Sequence, residues 1–215
     1  PLDIFDEIQA RTEYDYALVH LFEENIAYYN KFKDAIIMKE REVILDNSIF
    51  ELGKAFDSNR YSYWINLLQP TWYIIPDVLE NCEATIESFN TWMMSYAGNI
   101  DPACKKIGVV QGKNIDDIAR CYMSIEPYVD KVAVSFDYSF FDDSDIGTKD
   151  YRYMVGRQNL IDFLMREHII NVDKPHHLLG CSLPQEFKHY QSPIYSFIDS
   201  VDTSSPIVHG LNRIR

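Results

Sequence analysis

The sequence has no apolar run of the roughly 18 to 20 residues that a membrane-spanning helix needs. Its first residues, PLDIFDEIQARTEYD, are acidic and lack the apolar segment of a signal peptide. No membrane partner is therefore expected. Cysteine is scarce, with four residues, Cys82, Cys104, Cys121 and Cys181, and no CxxC pair. That spacing speaks against a zinc cluster and for reduced thiols used as small buried filler in a cytoplasmic protein. Neither GxGxxG nor GxxxxGK[ST] occurs, so the phosphate loops of nucleotide-cofactor folds are missing. Positive charge is also short, with 20 Lys and Arg against 33 Asp and Glu and a net charge of −13. Such a chain is poorly suited to a wide, non-specific grip on phosphates, although a local basic groove remains compatible with it. No repeat or low-complexity tract is present.

What is present is enough apolar material for a large core, at 47% hydrophobic and 14% aromatic over 215 residues. Short apolar runs alternate with longer helical stretches. The strand candidates are YALVHL (16–21), EVILD (42–46), TWYIIPD (71–77), KIGVVQG (106–112), KVAVSFD (131–137), HHLLGCSL (176–183) and YSFIDSVD (195–202). Their apolar residues are continuous, as in parallel strands covered on both faces. Between them, helical spacing predicts helices over 24–41, 59–69, 78–97, 114–129 and 153–169, with Asn114 as an N-cap. This alternation predicts an α/β fold, a single (β/α)8 TIM-like barrel domain over 1–215, with the eighth strand short, missing or beyond the chain.

In such a sheet the C-terminal strand ends carry the chemistry. Those ends supply Asp46, Asp77, Gln111, Asp137 and Asp202. Each has an ordinary alternative, since an Asp at a strand exit also caps the next helix or turn. Asp137 opens DYSFFDDSD and reads as a solvated acidic loop, and FFDDSD is only faintly like a calcium loop. His176 and His177 are adjacent and point to opposite faces of a strand, which disfavours a metal pair. His189 and His209 have no ligand spacing, and neither metal nor cofactor is expected. Lys105, Lys106, Lys113, Arg152, Arg157, Arg213 and Arg215 are candidates for a small basic rim.

Five segments in order resemble the tRNA-guanine transglycosylases. ILDNSIF resembles the family's DSGG(F/Y)Q, YIIPDVLEN its LDE strand, and IGVVQG is similar to GIVQGG. HHLLGCSLPQEF resembles YLMGVGTPEDL, and FIDSVDTSSP resembles VDMFDCVLPTR. There are departures. Ser48 and Ile49 replace two glycines, VAVSFDYS stands where the family has GGLSVGE, and TSSP replaces LPTR. The 215 residues hold no counterpart of the cysteine-rich zinc subdomain. The pattern is most similar to compact, zinc-free, phage-type members that install 7-deazaguanines in DNA.

The resemblance implies a transglycosylase that exchanges guanine for a 7-deazaguanine in DNA rather than tRNA. Asp202 matches the nucleophilic aspartate and Asp46 the proton shuttle. Phe50 matches the aromatic that stacks on the purine, while Asp77, Gln111 and the following Gly112 match the base-reading segments. The implied partners are a nucleic acid and a free 7-deazaguanine base, with a homodimer or partner subunit as a further expectation. If the chain is phage-encoded, the implied location is the host cytoplasm. Two alternatives stay open at this point: a purine N-glycosidase that uses water as acceptor, and a non-catalytic 7-deazapurine-binding module or partner subunit.

Overall fold

A computed structural model describes residues 2–136 and 147–211. Its strands are β1 (Tyr14–Leu18), β2 (Glu42–Asp46), β3 (Trp72–Ile74), β4 (Lys105–Val110), β5 (Lys131–Val134), β6 (His176–Leu178) and β7 (Ile198–Val201). The helices are α1 (Phe5–Gln9), α2 (His20–Glu24), α3 (Ile26–Lys39), α4 (Ile49–Leu52) and α5 (Ser58–Leu68). They continue with α6 (Cys82–Ser95), α7 (Ile115–Ile125), α8 (Lys149–Arg166), α9 (Glu186–His189) and α10 (Ser205–Leu211). The sheet runs in chain order, β1 to β7. That order is the order of a TIM-like barrel lacking one strand. The eighth strand does not occur among the described residues. Residue 137 and the FFDDSD segment lie outside them.

The chain packs as two compact units, residues 1–79 with 84–107, and residues 80–83 with 108–215. In the first, β1 pairs with β2 from Tyr14↔Glu42 to Leu18↔Asp46, and β2 and β3 align Ile44 with Trp72. The apolar run of β2 is covered on both faces, and Val43, Ile44 and Leu45 are buried. α3 starts where the Asn25 side chain accepts from the N–H groups of Ala27 and Tyr28. α5 starts where Asp57 accepts from Arg60. Between these two helices and α2, Phe22, Tyr29, Phe32 and Trp64 form an aromatic cluster with most centroids 5–6 Å apart. Buried Tyr61 spreads its hydroxyl proton over the Leu45 carbonyl at 2.8 Å and the Ile74 carbonyl at 2.9 Å, tying the ends of β2 and β3.

In the second unit β5 pairs with β6 (Val132↔His176) and β6 with β7 (His177↔Ser200), with a register shift between His176 and His177. α7 begins as predicted at Asn114, whose side chain accepts from the Asp117 N–H. It lies so close to β4 that a Cβ at Gly108 would sit 2.3 Å from Ile125, so only glycine fits. The four cysteines are free and buried. Burial pushes the Cys181 thiol up to about 12, which leaves it inert as a nucleophile near neutral pH.

Candidate active site

At the exit of β2, both carboxylate oxygens of Asp46 are engaged. One accepts the phenol O–H of Tyr16 on β1, and the other accepts the Ser48 N–H. Ser48 makes that short turn by adopting a left-handed conformation, φ 60°, unusual for a residue with a side chain. Asn47, also buried, spans the gap to β3. Its amide donates to the Asp77 carboxylate at 3.0 Å and the Ile75 carbonyl at 3.3 Å, and its oxygen accepts the Ile49 N–H. Asp46 and Asp77 are thus held on either side of one asparagine. Asp77 is 3% exposed, and α6 begins five residues later at Cys82, so Asp77 does not act as its N-cap. Phe50 rides on α4 and is 67% exposed, a flat apolar face turned to solvent.

Sequence reasoning carried the first strand to residue 21, whereas β1 ends at Leu18. His20 therefore stands at a strand exit. Its backbone N–H reaches Ser48 Oγ at 3.4 Å, and its buried Nδ1 has no hydrogen-bond partner among the described residues. The three-residue error in the strand end hid this histidine.

In the second unit, Gln111 follows β4 and is buried. Its Oε1 accepts the Glu80 N–H at 2.9 Å, which fixes the side-chain amide plane. Gly112 is required locally, because a Cβ there would lie 2.8 Å from Asp117 Cβ and 3.1 Å from the Ile118 nitrogen.

Asp202 follows β7. Its Oδ1 accepts the Gly180 N–H at 2.8 Å and lies 3.2 Å from His177 Nε2, while Oδ2 takes no hydrogen bond from the described residues. The carboxylate is 23% exposed, and the turn-capping alternative for it is not realised. Thr203 instead donates to the Cys181 carbonyl. Gly180 offers its N–H from a left-handed conformation, φ 61°.

Behind that glycine lies Arg157, which is not part of a basic rim. It is 1% exposed and forms a bidentate pair with Glu186, both bonds 2.7 Å. Its remaining N–H groups reach the carbonyls of Val134, Leu179 and Gly180. A guanidinium with this many fixed donors belongs under a loop that exposes carbonyls inward. Arg213 and Arg215 lie outside the described residues, and Lys113 pairs with Glu80 at the surface.

The two adjacent histidines behave oppositely, as alternation on a strand requires. His176 faces Tyr122 of α7 (Nε2 to the hydroxyl, 3.0 Å) and the Lys174 carbonyl (2.8 Å from Nδ1). Desolvation lowers it to about 4, so it is a neutral core histidine. His177 faces Asp202 and Ser200. Sequence reasoning set both aside together. The usable signal was their phase on the strand, which puts one of the pair on the same side as the β7 carboxylate. Among the described residues no group of three or more His, Cys, Asp or Glu is placed to hold a metal ion, and no helix is long and apolar enough to cross a membrane.

Comparison with protein-family models finds no match, and comparison with curated protein sequences finds none either. Among solved structures, the chain is similar to a mandelate racemase/muconate lactonizing enzyme-like protein from Rubrobacter xylanophilus. The TM-score is 0.50 at 12% identity, over 92% of this chain. The chain spans 54% of that neighbour's length. At this identity the likeness concerns the fold, an α/β architecture of the TIM-like kind.

Proposed function

We propose that the chain is a glycosyltransferase that exchanges guanine for a 7-deazaguanine base in a nucleic acid, DNA rather than tRNA. The observation that carries this reading is Asp202 at the exit of β7, with one oxygen pinned by Gly180 and His177 and the other taking no hydrogen bond from the described residues. A carboxylate oriented in this way suits in-line attack on the sugar C1′. Oδ2 would form the bond to C1′ as the bond from C1′ to N9 breaks, and the electron pair would leave with the purine. A proton held at Asp46 would pass to the departing guanine, and the incoming base would return one as it displaces Asp202. The Tyr16 phenol and the Ser48 N–H support this role by fixing the Asp46 carboxyl.

Phe50, exposed on α4, offers a stacking face worth about 1–3 kcal/mol per base. Asp77, Gln111 and Gly112 are carried in the reading as the base-recognition set, because a carboxylate accepts guanine N1–H and the 2-amino group together and discriminates against adenine. The other partner is a free 7-deazaguanine. A target inside a duplex has to leave the stack first.

The test is incubation with guanine-containing DNA or tRNA and a labelled 7-deazaguanine base. Label entering the polymer, and lost in Asp202→Asn, supports the reading. Release of free guanine without label uptake replaces it with hydrolysis. Base binding with neither reaction makes the chain a binding module.

A further inference from the structure

We infer that Arg157 of α8 is a positioning residue for Asp202, acting on it through the peptide unit that joins Leu179 to Gly180. The positioning stands on hydrogen bonds within one unit of the chain, whereas its consequence for rate rests on the proposed role of Asp202 as nucleophile.

A guanidinium has five N–H groups in a rigid plane, and here each has an acceptor. Nε and Nη2 hold the two oxygens of Glu186, each at 2.7 Å. Nη1 donates to the Leu179 carbonyl at 2.8 Å and to the Val134 carbonyl at 3.4 Å. The second proton of Nη2 goes to the Gly180 carbonyl at 2.9 Å. The full set of donors is engaged, as burial to 1% exposure demands.

The Leu179 carbonyl and the Gly180 N–H belong to the same peptide unit. The unit is trans, so the two groups point in opposite directions within one plane. The guanidinium grips the carbonyl end, and the N–H end donates to Asp202 Oδ1 at 2.8 Å. The Gly180 carbonyl, gripped by Nη2, belongs to the next peptide unit. One planar cation thus fixes both peptide planes that flank Gly180. It thereby holds the left-handed φ of 61° that aims the N–H at the carboxylate. A positive charge at the carbonyl end also polarises the unit and strengthens its N–H as a donor.

Glu186, the first residue of α9 and 2% exposed, sets the plane of the guanidinium by its two parallel bonds. Its Oε1 is oriented in turn by the Tyr190 hydroxyl at 3.3 Å. Lysine at 157 would still neutralise Glu186. As a compact point charge it would not span two successive carbonyls in one plane. Arg157 reaches Asp202 only through the Leu179–Gly180 peptide, so its effect is on the aim of the carboxylate. A misaimed nucleophile loses rate rather than affinity for the base.

Two variants of the full chain test this. Arg157→Met combined with Glu186→Leu replaces the buried pair by apolar volume, a change that buried pairs often tolerate. Arg157→Lys keeps the charge and loses the fork, and it carries both measurements if the double variant does not fold. The first measurement is amide hydrogen exchange by NMR and needs no substrate. The Val132 and His176 N–H groups, bonded to the Pro175 and Phe197 carbonyls, are the references. The Gly180 N–H is expected to exchange about tenfold faster than in wild type, with both references within about twofold. No change at Gly180 overturns the inference. Equal acceleration at all three positions also overturns it, because Arg157 is then a general support of the fold. The second measurement is incorporation of a labelled 7-deazaguanine into guanine-containing DNA. A fall of about tenfold in kcat is expected, with KM for the free base within about twofold of wild type. An unchanged kcat, or a loss confined to KM, overturns the consequence for rate. A wild-type chain that exchanges no base overturns the proposed function together with that consequence, and the Gly180 exchange rate still decides the positioning.

Discussion

Asp46 and Asp202 leave parallel strands in the same way and are held in opposite ways. Both depend on a left-handed residue that turns a backbone N–H onto the carboxylate, Ser48 for one and Gly180 for the other. Asp46 then fills its second oxygen with a phenol, while Asp202 takes its side-chain partner on the same oxygen as the backbone N–H. In the first arrangement both carboxylate oxygens accept from neutral donors. The second holds one oxygen against a histidine, and its other oxygen takes no hydrogen bond from the described residues. Two similar turns thus present their carboxylates differently, because the side chain across from each differs in kind and in which oxygen it meets.

The sharpest way to break this comparison is to neutralise each carboxyl in turn. Asp202→Asn should abolish label exchange, by about 10⁴-fold or more, as loss of a nucleophile does. Asp46→Asn should cost less, about 10²-fold to 10⁴-fold, the range of one general acid–base group. Equal losses would mean that the two carboxyls do not divide the work as their surroundings suggest. Rates of incorporation of a labelled base measure both.

The supports beneath the two turns differ as well. Gly180 rests on a buried ion pair, and Glu186→Ala would strand the Arg157 guanidinium, costing about 3–5 kcal/mol. The β2 exit rests on a neutral bridge. Tyr61→Phe would leave the Leu45 and Ile74 carbonyls without that donor, costing about 1–3 kcal/mol. Urea denaturation of the two variants gives the ranking, and a larger loss in Tyr61→Phe would reverse it.

The paired histidines sharpen the contrast through pH. His176 takes its proton near 6.5 when unfolded, but burial holds it at about 4 when folded. The unfolded chain therefore binds the extra proton first. The stability due to the neutral ring is complete above pH 6.5 and is lost as pH falls toward 4, by about 3 kcal/mol at most. His176→Gln should flatten that part of the stability–pH curve. A curve unchanged by the substitution would mean that the ring does not titrate between those limits.

Much of this was legible beforehand, for a physical reason. A strand buried on both faces needs an unbroken apolar run, so EVILD marked β2 to the residue, and Asn114 capped α7 as its side chain allows. Carboxylates at strand ends follow from the same reading, which is how Asp46, Asp77 and Asp202 were found. Partners were not legible. Arg157 looked like a surface cation because its spacing on α8 does not reveal that Glu186, 29 residues on, lies against it. His177 was passed over because its contact with Asp202 depends on β7, which is adjacent in the sheet and distant in sequence. The β1 end was misjudged because Val19, His20 and Leu21 extend the apolar pattern into α2.

The smallest expected effect tests the turns themselves. Gly180→Ala forces a side chain into the left-handed region, at a cost of about 1–2 kcal/mol, and sets its Cβ 3.0 Å from the Phe136 ring. Ser48 already bears that cost at φ 60°, so Ser48→Gly should relieve about 1 kcal/mol, less whatever is lost with its 3.4 Å bond from the His20 N–H. The two substitutions should therefore move the thermal midpoint in opposite directions. If both lower it, the Ser48 hydroxyl matters more than its backbone strain, and the β2 turn is held by its side chain where the β6 turn is held by its lack of one.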